Sequence, residues 1–197
     1  MYMKNFVITL FCLMMIVVIY LASDMKNAYK ILPGNISGKL EIPAFVDWRE
    51  FTSTTGLFSV SLPAPPQSAT EHVAIPKSDK KRYYEMYVAE KLNGAAFMIS
   101  LITYPPDYDL SQPPLLFREI VDELLLGNPN NRLDFFHLQA FLDKEGAAFH
   151  IHNSELIIIG REFLVGSTLY LLTYVVRTAD FDQKDYDHFI NSFVLLT

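Results

Sequence analysis

Cysteine is almost missing. Cys12 is the only one in the 197 residues, and it lies close to the N-terminus. The chain beyond it can form no disulfide and no cysteine-based metal site. A thiol-free domain suits an oxidising compartment. Charge is scarce too: charged residues make up 19%, and acids outnumber bases 22 to 16, for a formal net charge of −6. That balance excludes nucleic acid as a partner. The densest basic stretch, "KSDKKR" at 77–82, reads as one exposed loop and does not reverse it. Enzyme signatures are also missing. There is no Gly-x-Ser-x-Gly elbow, no glycine-rich phosphate loop and no repeat of 20–50 residues. Glu119, Asp122 and Glu123 read as the solvated face of a helix. Asp180, Asp182, Asp185 and Asp187 surround a helix start, where the dipole favours negative charge.

What is abundant is apolar. "FVITLFCLMMIVVIYLA", residues 6–22, carries no charge. As a helix it would span roughly 25 Å, close to the lower limit for crossing a bilayer. An uncleaved anchor fits it best. A cleaved signal would need a small-x-small site, which "YLASD" supplies poorly, and a lipoprotein signal would need small residues before Cys12, where "TLF" stands. A buried soluble helix is the third reading, but no polar residue marks an exposed face. The expected layout is an anchor or uncleaved signal at 1–23, a tether at 24–47 and a domain at 48–197. The expected location is the bacterial inner membrane, single-pass through 6–22. The domain is expected to be exported to the periplasm, because so little chain precedes the span.

From Trp48 onward the pattern is strand-rich. Phe58, Val60 and Leu62 alternate with serines, and Pro63, Pro65 and Pro66 end that strand, since proline cannot donate to a ladder. "YYEMYVAEKLNGAAFMISLITY" reads as a hairpin with Asn93-Gly94 in a type I′ turn. Residues 132–142 predict another strand, a Glu145-Gly146 turn and a strand through "AAFHIHN" follow, and "LIIIGREFLVGSTLYLLTYVV" predicts two strands meeting at a type II′ Gly166-Ser167 turn. "PPLLFREIVDELLLGNP" predicts a helix with Leu116, Ile120, Val121, Leu124 and Leu125 as its buried stripe. "DQKDYDHFINSF" predicts a second, capped by Asp182, burying Tyr186, Phe189, Ile190 and Phe193. The fold class expected is α+β, an antiparallel sheet with helices packed on it.

Phe51, Ser53, Gly56, Phe58, Ser59, Val60, Leu62, Pro63 and Pro66, together with "GSTLYLLTYVV" and "FINSFVL" at the end, resemble the PsbP-like superfamily over residues 48–197. The resemblance implies an α/β/α sandwich, and the apolar run at 6–22 adds one N-terminal transmembrane helix before it. The superfamily includes photosystem II extrinsic proteins, a nuclear-import factor that binds the Ran GTPase, and bacterial envelope proteins. Its members are mostly binding or assembly factors, so the resemblance implies a non-enzyme without cofactor and transfers no catalytic residue.

Three candidate sites follow from the residues themselves. The loop "TYPPDYDLSQPP" at 103–114 holds Tyr104, Asp107 and Tyr108 between stiffening prolines, with Asp109 or Ser111 as a helix cap. Tyr84, Tyr87 and Phe135 belong to an aromatic sheet that also includes Tyr83, Phe97, Phe136 and Phe141, which would line a groove if one face were uncovered. His150 and His152 share a strand face and could meet His137 around a metal. The leading expectation is a membrane-tethered module holding a protein partner. The alternatives are a small apolar or lipid ligand in the aromatic groove, and a histidine-based metal enzyme.

Overall fold

The computed structural model describes residues 48–75 and 78–196. The anchor and tether expected at 1–23 and 24–47 lie outside them. No helix among the described residues is long and apolar enough to cross a membrane.

The signature around Phe51 builds a hairpin. Strands β1 (Arg49–Thr52) and β2 (Phe58–Leu62) pair antiparallel, with Phe51 opposite Val60. Ser53 closes the turn: its Oγ accepts from the N–H of Leu57 at 3.0 Å and of Phe58 at 3.3 Å. Gly56 supplies the left-handed residue at φ +70°, a conformation that costs an L side chain about 1–2 kcal/mol. Phe58, Val60 and Leu62 are all buried, as their alternation predicts. The short strand β10 (Val194–Leu195) flanks β2 on its other side, giving a three-stranded sheet.

A second sheet has seven strands: β3 (Gln67–Ala74), β4 (Lys81–Glu90), β5 (Ala96–Thr103), β6 (Arg132–Leu138), β7 (Gly146–His152), β8 (Leu156–Val165) and β9 (Thr168–Arg177). Their order is β3-β4-β5-β9-β8-β7-β6, and every pairing is antiparallel. Among the described residues the two α-helices are α1 (Pro113–Leu126) and α2 (Gln183–Asn191). One sheet face carries Phe97, Ile99, Phe163, Tyr170, Leu172 and Tyr174, which pack against Tyr186, Phe189 and Ile190 of α2 and against β2. Phe193 stacks on Phe58 at 5.3 Å, and Phe97 on Tyr174 at 4.8 Å. Such pairs add about 0.5–1.5 kcal/mol each beyond their burial. Ser192, just after α2, ties helix to strand: its Oγ accepts from Ser61 N–H at 2.9 Å and donates to the Phe189 carbonyl. The opposite sheet face lies under α1, whose Leu116, Phe117, Ile120, Val121 and Leu124 are buried. This is the α+β architecture expected, with antiparallel sheets and helices on both sides.

Details differ from the expectations. The β4–β5 loop is not type I′. Only Gly94 has positive φ, Gly94 N–H bonds Lys91 carbonyl, and Lys91 N–H bonds Ala95 carbonyl. That is a three-residue loop, a type I turn followed by a left-handed glycine. At Gly166-Ser167 positive φ falls on the glycine alone, as type II′ requires. The strand expected over 132–142 stops at Leu138, and the reversal sits at Leu142-Asp143, not Glu145-Gly146. Both residues are left-handed, at φ 50° and 58°, between the mutually bonded Phe141 and Lys144. This is a type I′ turn made from residues that resist it. Replacing Leu142 with Asn and Asp143 with Gly is expected to stabilise the domain by about 1 kcal/mol, because those residues adopt the turn at little cost. The check is a higher urea midpoint at unchanged slope.

Candidate functional site

Arg82 organises the loop that leads into α1. It sits on β4, on the sheet face beneath the helix, and only 2% of it is exposed. Its Nη2 donates to both Glu123 oxygens, at 2.7 and 2.6 Å, and its Nη1 donates to the Tyr104 hydroxyl at 3.3 Å. Its guanidinium lies 5.2 Å from the Tyr84 ring centre. The expectation that 77–82 forms one exposed loop therefore fails at Arg82. Glu123 likewise leaves the solvated face assigned to it. A buried guanidinium must be paired, and the α1 carboxylate within reach supplies the pair.

The loop is pinned elsewhere too. Tyr104 N–H bonds the Ser167 carbonyl at 2.9 Å, and its buried ring stacks on Tyr108 at 4.9 Å. Burial pushes the Tyr104 phenol up to about 12. The Tyr108 phenol is raised by burial and by nearby Glu119. A turn closes from Tyr108 N–H to the Pro105 carbonyl at 3.0 Å. Lys80 grips Asp107 twice, at the carboxylate (2.9 Å) and the carbonyl (2.8 Å), which holds the exposed Asp107 carboxyl below its ordinary range. Asp109 accepts from Ser111 N–H at 2.9 Å. Neither caps α1: the N-cap is Gln112, with no side-chain cap bond.

Tyr84, Tyr104 and Tyr108 thus gather around Arg82, while Asp107 is held by Lys80. Tyr87 does not join them. It is on the other sheet face, 1% exposed, with its ring against Phe51 and Phe58 and its hydroxyl bonded to Thr54 and Glu85. Phe97 is buried in the same core, so the aromatic residues form no single groove lining. Phe135 lies on β6, the edge opposite β3, its ring 5.1 Å from His137 and 5.8 Å from His150.

His150 and His152 lie beside a carboxylate. A bulge between Leu133 and Phe135 brings Asp134 to His150 Nδ1 at 3.2 Å and His152 Nδ1 at 2.9 Å. Burial lowers the His150 pKa, partly opposed by Asp134 and reinforced by His152. His137 instead stacks on Phe135. Among the described residues no group of three or more His, Cys, Asp or Glu is placed to hold a metal.

Arg82 carried no signal in the sequence because a lone strand arginine reads as polar surface. Its alternation with Tyr84, two residues on, was the available hint.

No family model matches the sequence, and a search of curated proteins finds no match. Among solved structures, the chain is similar to the cyanobacterial PsbP (CyanoP) of Synechocystis sp. PCC 6803. The TM-score is 0.51 at 9% identity, over 84% of this chain and 99% of that chain. A Pseudomonas aeruginosa protein of unknown function aligns at TM-score 0.37 and 9% identity, over 68% of this chain and 85% of that one. A Bacteroides thetaiotaomicron VPI-5482 protein aligns at TM-score 0.40 and 12% identity, over 76% of this chain and 49% of that one.

Proposed function

We propose that this chain, whose fold is PsbP-like, is a non-enzymatic binding or assembly module. It is tethered to a bacterial inner membrane through residues 6–22 and holds a protein partner on the 104–112 loop. The observation that carries the reading is the way the loop is held. The buried, Glu123-paired Arg82 donates to the loop's Tyr104 hydroxyl, Tyr104 stacks on Tyr108 within the loop, and Lys80 grips its Asp107. A loop ordered before binding loses little entropy on binding, and tyrosine is a favoured anchor at such contacts. The apolar run at 6–22 and the thiol-free domain support an exported, membrane-tethered placement.

The test is photocrosslinking of the full chain in its own membrane. A benzoylphenylalanine at position 108 is expected to give one discrete protein adduct. The same group at Leu92, 65% exposed on the β4–β5 loop, is expected to give none. No adduct at 108, or an identical adduct pattern at 92, would remove the loop from the binding surface.

A further inference from the structure

Glu162 is a carboxylic acid with nothing to bind. It lies on β8, is 0% exposed, and neither carboxylate oxygen has a hydrogen-bond partner. Register places it opposite Ala147 of β7 and Leu171 of β9, on the face that α1 covers. Ser100 of β5 follows in the same row, opposite Leu171. The helix turns its apolar stripe to that face.

The charged groups on that side are few. From β3 comes the half-buried Glu71, from β4 Arg82 and the half-buried Glu90, from β9 the exposed Arg177, and from α1 Arg118, Glu119, Asp122 and Glu123. Arg82 is paired with Glu123 and Arg118 with Asp122, so their charge is matched. Burial raises the Glu162 pKa well above its ordinary value. Glu90 is raised by burial as well.

The helix above is lightly fastened at its ends. It has no side-chain N-cap bond, no acid in its first turn and no base in its last. Its C-terminal turn is held by one side-chain bond, Asn131 Nδ2 to the Leu124 carbonyl at 3.1 Å. Among the described residues its further polar ties to the sheet are Arg82–Glu123 and the Arg118 guanidinium, 5.8 Å from the Phe136 ring centre on β6.

We propose that α1 is a lid over the Glu162 face of the seven-stranded sheet, and that ionisation of Glu162 opens it. The closed lid keeps the acid protonated in an apolar setting. An opened lid lets water reach the carboxylate, which then ionises near its ordinary value of about 4.3. The sign follows: the closed state has the raised pKa, so its advantage is complete below about 4.3. It declines as pH rises from there through the raised value. Opening uncovers Phe149, Ile151, Ile158 and Leu171, which are buried in the closed state.

The experiment measures thiol labelling in the full chain with Cys12→Ser as background. Val121→Cys reports from the buried stripe of α1, and Ile190→Cys from buried α2. Rates are corrected for thiolate fraction with glutathione run in parallel. The Val121 site is expected to gain about tenfold in rate per pH unit above about pH 5. It is also expected to label at least about tenfold faster than the Ile190 site at each pH, because a lid opens without global unfolding. Glu162→Gln, which cannot ionise, is expected to abolish the slope, leaving at most what Glu90 adds. Glu162→Met serves the same purpose if the glutamine variant folds poorly. An unchanged slope in these variants, a flat profile with Glu162 present, or equal rates at the two sites would overturn the proposal.

Discussion

Arg82→Ala is expected to destabilise the domain by about 3 kcal/mol, a loss of roughly 6–12 °C in Tm for a domain of this size. The replacement deletes a buried guanidinium and strands its partners. Glu123 keeps 25% of its side chain exposed and can turn partly to water, which places the cost at the low end for a broken buried pair. The Tyr104 hydroxyl loses its donor, and the Tyr84 ring loses the cation beside it. The paired change Arg82→Met with Glu123→Leu removes both charges together. It is expected to regain most of the lost stability, because a well-packed apolar pair avoids the desolvation cost. Thermal melts of the three proteins check this. A double variant no better than Arg82→Ala would mean that the arginine acts through packing alone.

Gly160→Ala is expected to cost about 3 kcal/mol or more. A Cβ at this position would stand 2.5 Å from the Leu172 carbonyl oxygen and 2.7 Å from Phe149 Cζ. The Phe149 ring lies over the glycine from the neighbouring strand, in the row that pairs them directly. Side chains can shift, but the Leu172 carbonyl belongs to the ladder with β9 and cannot move without breaking it. Adding Phe149→Leu should therefore restore only part of the loss. Chemical denaturation with both variants measures it. Full recovery in the double variant would place the whole cost on the ring.

The contrast between these two sites shows what the sequence makes legible. Alternation and helical spacing are properties of neighbours along the chain. They located β2, the β4–β5 and β8–β9 hairpins, both helices and nearly all of their buried faces. The Phe51–Pro66 signature pointed to a PsbP-like fold because Ser53 and Gly56 serve a local turn. The weak strands escaped. β3 buries only Val73 along its length, and β1 and β10 are short, so none shows a sustained period. The β4–β5 turn type escaped because Asn93 takes up a role the dipeptide alone does not encode: its Oδ1 accepts from Ala95 N–H. The site was half legible. Tyr104, Asp107 and Tyr108 stood out as a loop of recognition residues. Arg82 and Glu123 did not, because their pairing joins positions 41 residues apart and no local rule connects them.

Everything proposed for the 104–112 loop rests on Arg82 holding it still. Hydrogen exchange at the Tyr108 amide measures this directly, since that N–H closes the turn to Pro105. In the double variant Arg82→Met with Glu123→Leu, which keeps the fold while removing the clamp, Tyr108 is expected to lose at least about tenfold in protection while the β8–β9 amides stay unchanged. Protection at Tyr108 equal to that of the unaltered protein would show that the loop orders itself without Arg82 and would contradict the clamp.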